Sequence, residues 1–248
     1  MSTRVMILAA GKGTRMGADV PKPLVKIAGR AMIEHLLDSI HDSEIDPKPI
    51  VIIAPDLTED FADICRDDRC EFAIQQEQLG TGHAVQSARE VVNGAETIII
   101  LYGDHPFISP ELITSLQELH TKGSSTITMI TTRVPNFKDD YSVFTSWSRI
   151  LRDGSGKVLG DVQVKDATEE QLKIKEVNPC LFAFRAEWLW EHLPEVKNKN
   201  ASKEYYLTDL IAMAVEEGEE IVTTLAKPFE VVGINTKEEL ARAEKIFG

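Results

Sequence analysis

The segment "LAAGKGTRMGADVPKPL", residues 8–24, follows a short apolar run at residues 5–8 and combines glycines with basic residues and prolines. Its glycines, Gly11, Gly13 and Gly17, miss the G-x-G-x-x-G spacing of dinucleotide-binding loops by one residue. The phosphate-loop pattern G-x-x-x-x-G-K-[ST] is also absent. The loop therefore belongs to neither of these two classes, although its glycines still favour close approach of a ligand to the backbone.

The basic side chains of this loop are candidates for binding phosphate. Pro21 and Pro23 restrict the backbone on both sides of Lys22, so that its ammonium group is aimed in one direction. The presence of Lys22 and Arg15 predicts that this loop binds a triphosphate. The alternative is an ordinary surface loop with solvated lysines.

Apolar runs alternate with helical periodicity from this loop onward. Unbroken apolar strands separated by helices are typical of a mostly parallel sheet that is covered on both faces. The predicted strands are residues 4–9, 49–55, 71–75, 97–104, 125–134, 180–184 and 220–226, and the predicted helices are residues 31–41, 59–65, 83–92, 110–122, 207–217 and 236–247. The sequence thus predicts an α/β fold.

The alternation of apolar strands and helices stops between residues 136 and 178. This part of the chain is polar and contains a hairpin signal at residues 152–158. We interpret residues 1–248 as a single domain in which 136–178 form a small inserted β lobe.

Composition narrows the possible partners and compartments. A net charge of −13 and a pI near 5.0 argue against a nucleic-acid partner, which requires a basic face. No stretch has the length of a signal peptide or a membrane span, so no membrane association is expected. Cys65, Cys70 and Cys180 follow no metal-ligand spacing, and their odd number favours a reducing compartment. We expect a cytoplasmic protein, and the sequence leaves its oligomeric state open.

A carboxylate follows one of the apolar runs in "LYGDHP", where Asp104 comes directly after the predicted strand. Ligands of open parallel sheets bind beyond the carboxyl ends of the strands, and a carboxylate there suits Mg²⁺ shared with substrate phosphates. His105 has no second ligand at zinc spacing and is interpreted as a bystander. Asp104 could instead cap a helix or turn before Pro106.

A third motif, "QQEQLGTGHA", contains an amide side chain followed by two glycines. Gln75 ends a predicted strand, and Gly80 and Gly82 bring backbone close to a flat ligand. An amide and exposed backbone N–H groups can recognise the edge of a base. His83 is interpreted as a packed residue at the start of a helix.

The ordered motifs "LAAGKGTRM", "QLGTGHA", "YGD", "KDAT", "EYYLTD" and "GIN" together resemble the sugar-1-phosphate nucleotidyltransferases. The resemblance is strongest to the uridyltransferase domains of bifunctional N-acetylglucosamine-1-phosphate uridyltransferases/glucosamine-1-phosphate acetyltransferases, and it covers nearly the whole chain. It implies a Rossmann-like α/β fold of the nucleotide-diphospho-sugar transferase type.

The resemblance also implies roles for individual residues. The implied nucleotide-binding residues are Leu8, Ala9, Ala10, Gly11, Lys22, Gln75, Gly80, Thr81, Tyr102 and Gly103. The implied catalytic residues are Arg15, Lys22 and Asp104. Asp104 and Asn235 would hold Mg²⁺, although Asn235 could alternatively be the N-cap of the last helix. Tyr206 and Thr208 match positions near the acceptor sugar.

The sugar side departs from the family pattern at three places. Ser148 replaces a glycine whose backbone meets the sugar, and Gln163 replaces a carboxylate acceptor. Asn178 is kept, but it is followed by Pro179 and Cys180 where the family has Thr-Gly. The implied sugar is therefore N-acetylglucosamine 1-phosphate or a related hexose or hexosamine 1-phosphate.

The reaction implied by the resemblance converts UTP and a sugar 1-phosphate to a UDP-sugar and pyrophosphate, with Mg²⁺ as cofactor. Two alternatives remain: a nucleotidyltransferase that uses another nucleoside triphosphate or acceptor, and a non-catalytic nucleotide-sugar binding protein. The hexapeptide repeats of a left-handed β-helix acetyltransferase domain are absent from the sequence, so acetyl transfer is not expected of these residues.

Overall fold

The computed structural model describes residues 2–11, 20–92 and 94–247. The strands are β1 (Thr3–Leu8), β2 (Lys26–Ile27), β3 (Arg30–Ala31), β4 (Ile50–Ile53), β5 (Glu71–Ile74), β6 (Thr97–Tyr102), β7 (Ile127–Arg133), β8 (Arg149–Arg152), β9 (Val158–Val162), β10 (Glu176–Val177), β11 (Phe182–Arg185) and β12 (Ile221–Ala226). The α-helices are α1 (Met32–Asp42), α2 (Thr81–Ser87), α3 (Arg89–Val92), α4 (Pro110–Lys122), α5 (Glu169–Leu172), α6 (Ala186–His192), α7 (Asp209–Glu217) and α8 (Lys237–Phe247).

A mixed sheet organises these elements in the order β5-β4-β1-β6-β11-β7, and β12 pairs with β7. Strands β5, β4, β1 and β6 are mutually parallel, β12 is parallel to β7, and β11 runs antiparallel between β6 and β7. The core of the sheet is thus mostly parallel. The predicted α/β, Rossmann-like architecture is confirmed.

The two faces of this sheet bury separate apolar layers because side chains alternate along each strand. On β1, Val5 and Ile7 pack with α1 and α4, whereas Met6 points to the opposite layer with α2, α6 and α7. All three side chains are fully buried. The unbroken apolar runs of the sequence arise from this burial on both faces, with helices over each of them.

Local signals in the sequence determine where individual helices begin and end. The Ser109 side chain accepts a hydrogen bond from the Leu112 backbone N–H at 3.2 Å, and Pro110 occupies the first turn of α4. Helix α7 ends at Gly218, whose φ of 76° is left-handed. Among the helices formed by the described residues, none is long and apolar enough to cross a bilayer.

The helix predicted at residues 59–65 is wrong. This segment forms successive turns between two short 3₁₀ helices, Pro55–Leu57 and Arg66–Asp68. Bonds such as Ile64 N–H to Phe61 C=O, at 3.0 Å, span three residues rather than four. Phe61 is the fully buried side chain of this stretch, so the segment lacks the apolar face that holds an α-helix against a sheet.

The cysteines also differ from expectation. Cys65 and Cys70, whose Cα atoms are 4.8 Å apart, form a disulfide, while Cys180 is free. Asp67 and Asp68 between the paired cysteines have φ values of 55° and 59°, which turn the chain back tightly enough to bring the two sulfurs together. Cysteine spacing did not predict this pair because its formation depends on that local turn.

The lobe predicted from residue 136 contains the antiparallel hairpin of β8 and β9, and β10 joins it to β7. Buried Glu176 on β10 accepts hydrogen bonds from Thr131 at 2.9 Å, from Arg133 at 3.0 Å and from Arg152. Burial by itself would raise the pKa of Glu176, but these donors outweigh it and hold the pKa below its ordinary value. The carboxylate therefore ties the hairpin to the main sheet.

Candidate functional site

A cavity of about 640 Å³ opens where β1, β5 and β6 end. This is the edge of the sheet at which ligands of parallel α/β folds bind. Its walls combine backbone of the first loop with amide, hydroxyl, carboxylate and ammonium side chains. The lining residues are Leu8, Ala9, Ala10, Gly11, Lys22, Pro23, Gln75, Gln78, Gly80, Thr81, Ala84, Tyr102, Asp104, Glu204 and Asn235.

Most residues of the predicted nucleotide-binding set therefore border one space. Gly103 lies just behind the wall, where its N–H donates to Leu8 C=O at 3.0 Å. A Cβ at Gly103 would come within 3.1 Å of the Pro23 ring, which explains the need for a small residue there. Arg15, predicted to bind phosphate, lies outside the described residues.

A single ammonium group joins the two predicted metal ligands. Lys22 Nζ donates to Asp104 Oδ2, with which it forms an ion pair, and to Asn235 Oδ1 at 2.7 Å. Asn235 Nδ2 donates to Gly233 C=O at 3.1 Å, which turns the amide oxygen toward Lys22. Three side chains from distant parts of the sequence thus converge on one point of the cavity wall.

Burial and charge compete at Asp104. Burial alone would raise the pKa of this carboxyl, but the adjacent His105 ring and the Lys22 ammonium more than reverse the effect, so its pKa is lowered. Burial outweighs the attraction of Asp104 and lowers the pKa of His105 itself. That ring lies so close to Gly233 that a Cβ there would be 2.4 Å from His105 Nε2. His105 therefore packs against the backbone that leads to Asn235.

The amide of Gln75 has a defined orientation. One end donates to Gly80 C=O at 3.2 Å and lies 3.2 Å from His83 Nδ1. Because a carbonyl oxygen only accepts, the atom facing Gly80 is Nε2, and Oε1 receives no hydrogen bond from the described residues. Gln75 is buried yet borders the cavity, so Oε1 is an acceptor available to a ligand.

The glycines of "QLGTGHA" allow a second chain segment to approach. A Cβ at Gly80 would lie 2.6 Å from Tyr205 C=O, and Gly82 N–H donates to the same oxygen at 2.8 Å. Gly80 has a φ of 116°, a conformation that glycine alone adopts readily. Thr81 Oγ1 accepts from the Leu207 N–H at 3.0 Å. These bonds attach the "EYYLTD" segment to the cavity wall.

The predicted sugar-side residues do not line this cavity. Tyr206 and Thr208 are half-buried at the start of α7, and Gln163 is exposed. Ser148 and Asn178 are buried, and both donate to Asp161, Ser148 at 2.7 Å. The structure thus brings two of the five predicted residues together around a carboxylate that sequence reasoning did not single out.

Residues 5–205 match the family described as "MobA-like NTP transferase domain". The chain belongs to this family. Its members are nucleotidyltransferase enzymes, and the matched region contains the first loop, Gln75, Asp104 and the lobe hairpin. Asn235 lies beyond the match.

Two relatives of the MobA-like domain extend the comparison. The chain is 36% identical over 247 residues to the bifunctional protein GlmU of Clostridium novyi (strain NT), covering 99% of this chain and 52% of that protein. It is 37% identical over 243 residues to the bifunctional protein GlmU of Desulfotalea psychrophila (strain LSv54 / DSM 12343), covering 97% of this chain and 69% of that protein. The chain spans about half the length of the first relative.

The oxygens of Asp104 and Asn235 fit a divalent cation. Both already accept from one cation, Lys22 Nζ, so they converge, and carboxylate and amide oxygens are the hard donors that Mg²⁺ prefers. Residues 2–11, 20–92 and 94–247 contain no cluster of three or more His, Cys, Asp or Glu side chains that could hold a metal. A site with few protein ligands is typical of Mg²⁺ that shares substrate phosphates.

Other side chains make the helix caps that were the alternatives for Asp104 and Asn235. Ser109 caps α4, as described above. At α8, Thr236 Oγ1 accepts from the Glu239 N–H at 3.2 Å while Glu239 accepts from the backbone N–H of Asn235 and of Thr236. This reciprocal capping box leaves the Asn235 side chain free to face Lys22.

Several lining residues were missed by sequence reasoning. Pro23, Gln78, Ala84 and Glu204 all border the cavity. Pro23 was noticed only for its effect on Lys22, and its ring packs against Gly103. Gln78, Ala84 and Glu204 lie inside quoted motifs but were given no role, and the contact between Tyr205 and the glycine loop brings Glu204 to the wall.

Proposed function

We propose that this chain is a sugar-1-phosphate uridylyltransferase that converts UTP and a sugar 1-phosphate to a UDP-sugar and pyrophosphate. The observation that carries the proposal is the convergence of Lys22, Asp104 and Asn235 at the edge of a cavity lined by the first loop. The sugar is N-acetylglucosamine 1-phosphate or a related hexose or hexosamine 1-phosphate. The names of the two GlmU relatives and the quoted motifs support this class of substrate.

In this reaction an oxygen of the sugar 1-phosphate attacks the α-phosphorus of UTP in line, and the bond to the β-phosphate oxygen breaks to release pyrophosphate. The protein aligns the reactants and neutralises their charge. Asp104 and Asn235 would hold Mg²⁺, which supplies positive charge to the phosphates. Lys22 would pair with the phosphate oxygens, as would Arg15 from the same loop.

The orientation of Gln75 supports uracil as the base. Its free Oε1 can accept from the N3–H of uracil, whereas the corresponding nitrogen of cytosine is itself an acceptor. Gly80 and Thr81 would contribute the remaining contacts to the base. Leu8 to Gly11 would follow the nucleotide along the first loop, with Tyr102 and Gly103 near the sugar nucleotide.

Two further parts of the proposal rest on the sequence. We assign residues 136–178 to the sugar side of a single nucleotidyltransferase domain. The proposed substrate favours the cytoplasm as the compartment, where UTP is available.

Pyrophosphate release tests the proposal. The parent protein is incubated with UTP, Mg²⁺ and a panel of sugar 1-phosphates, beside Asp104→Ala and the control Asp60→Ala, which alters an exposed aspartate. We expect release with at least one sugar, a loss of about 10²–10³-fold or more in Asp104→Ala, and full activity in the control. Tight binding of UTP without release for any sugar would instead indicate a nucleotide-binding protein.

A further inference from the structure

The polar residues on the sugar side form a closed cluster around one carboxylate. Ser148 Oγ, on the segment that leads into β8, donates to Asp161 Oδ2 at 2.7 Å, and Asn178 Nδ2 donates to the same oxygen. Asn178 Oδ1 in turn accepts from the Cys180 N–H at 2.7 Å. Both functional ends of Asn178 therefore make a hydrogen bond within the protein.

This cluster leaves one acceptor without a donor. Both hydrogen bonds to Asp161 reach Oδ2, and Oδ1 accepts none from the residues that the structure describes. Within the same residues, no cationic side chain is paired with this carboxylate. Burial raises the pKa of Asp161, and the two hydrogen bonds offset only part of that effect. Asp161 is half-buried, so Oδ1 remains accessible and can accept a hydrogen bond from a ligand.

Cys180 connects this cluster to the proposed catalytic centre. Its backbone has a φ of 64°, a left-handed conformation that the bond to Asn178 stabilises. Burial raises the pKa of the Cys180 thiol, and the negative charges of Asp161 and Asp104 raise it further. The antiparallel register that pairs Phe182 with Ile100, continued by two residues, sets Cys180 opposite Tyr102, which borders the cavity. The cluster therefore lies toward the cavity end of the sheet.

We propose that Asp161 is the residue that selects the acceptor sugar, its Oδ1 accepting a hydrogen bond from a hydroxyl or amino group on the ring of the sugar 1-phosphate. This inference rests on the proposed function. Ser148 and Asn178 act as positioning residues that hold the carboxylate through Oδ2. Gln163, which the sequence favoured for this role, is exposed, and its side chain is not among the donors to Asp161 in the described residues.

The substitution Asp161→Asn tests the proposal with little change in shape. The amide oxygen can still accept from Ser148 and Asn178, so its NH₂ group takes the place of Oδ1 and turns an acceptor into a donor. Asp153→Asn is the matched control, since Asp153 is an exposed aspartate in the turn of the same hairpin. Gln163→Ala tests the alternative residue.

Steady-state kinetics are measured with UTP and with N-acetylglucosamine, glucosamine and glucose 1-phosphates. In Asp161→Asn we expect the KM of the preferred sugar 1-phosphate to rise at least about tenfold and the KM of UTP to stay within about twofold. The control Asp153→Asn should behave like the parent, and a rise in the sugar KM in Gln163→Ala without one in Asp161→Asn would overturn the inference. A loss confined to glucosamine 1-phosphate would identify an ammonium as the donor, and an equal loss for all three would identify a shared hydroxyl.

An unchanged sugar KM in Asp161→Asn, or an equal rise in the KM of UTP, overturns the inference. If that variant fails to fold, Ser148→Ala replaces it, and an unchanged sugar KM there has the same meaning. If the parent releases no pyrophosphate with any sugar, the proposed function fails separately, and calorimetric binding of the same sugar 1-phosphates to parent and Asp161→Asn decides the role of Asp161. Absent or equal binding then overturns it.

Discussion

Single backbone positions decide how closely two segments of this protein can approach. Gly80 combines a φ of 116° with a position where a Cβ would lie 2.6 Å from the Tyr205 carbonyl. Neither problem can be solved by rotating a side chain, because both involve backbone. The cavity wall near the base therefore depends on the absence of a Cβ at this residue.

Gly80→Ala should lower the free energy of unfolding by about 2–4 kcal/mol and raise the KM of UTP. Gly218→Ala is the matched control, since Gly218 also has a left-handed φ, 76°, but a Cβ at that position would meet no atom within 4 Å. The control should cost about 1 kcal/mol and leave the KM unchanged. Urea unfolding and kinetics measure both quantities, and equal effects of the two substitutions would contradict the importance of the Tyr205 contact.

His83 should control base selectivity through Gln75. Its Nδ1 lies 3.2 Å from Gln75 Nε2 and keeps Oε1 facing the cavity. His83→Phe removes that acceptor and permits the amide to rotate, so the preference for UTP over CTP should fall about tenfold. His192→Phe, which replaces a ring stacked on Trp188, is the control. Competition between UTP and CTP in the pyrophosphate assay measures the ratio, and an unchanged ratio in His83→Phe would exclude this role.

At the scale of elements, helix α4 is joined to the sheet by a buried histidine. His120 Nδ1 lies 2.9 Å from Thr128 Oγ1 on β7. Burial, with a smaller contribution from the charge of Arg185, lowers the pKa of His120 from 6.5 to about 4. The folded protein therefore holds a neutral ring at a pH where the unfolded chain is already protonated.

This difference makes the stability of the α4–sheet contact dependent on pH. Below pH 6.5, His120 is protonated in the unfolded state but remains neutral in the folded state. The free energy of unfolding therefore decreases as the pH falls toward about 4, and it levels off below that pH. Relative to His120→Asn, the parent should lose about 2–3 kcal/mol between pH 7 and pH 4.5. Urea unfolding at the two pH values measures the loss. Other groups titrate in both proteins and cancel, so parallel pH dependence would contradict the prediction.

At the scale of the whole molecule, we expect removal of the proposed metal to affect activity but not folding. Lys22 already bridges Asp104 and Asn235 in the structure, so the ligands need no divalent ion to offset their charge. Chelation with EDTA should therefore abolish pyrophosphate release and change the melting temperature by less than about 2 °C. Calorimetry with and without EDTA tests this. A fall of 5 °C or more (roughly 2 kcal/mol) would show that the metal stabilises the fold.

Much of the architecture could be predicted from apolar runs, because strands buried on both faces carry an unmistakable local pattern. Residues 59–65 were misassigned because their helical appearance was not supported by an apolar face. Lys22, Gln75 and Asp104 were identified by their position after strands or between prolines, which is local information. Asp161 was missed because a lone aspartate in a hairpin has no pattern that distinguishes it from a solvated residue.

The α/β class, the order of the principal elements and the family to which the chain belongs all follow from the sequence, since they depend on periodicity and on short ordered motifs. The folded chain was needed to show that Asn235 meets Asp104 through Lys22, that Tyr205 packs on Gly80, and that Ser148 and Asn178 both donate to Asp161. These contacts join residues separated by between 13 and 213 positions. No local pattern encodes such contacts, because they arise from the packing of complete elements against the sheet.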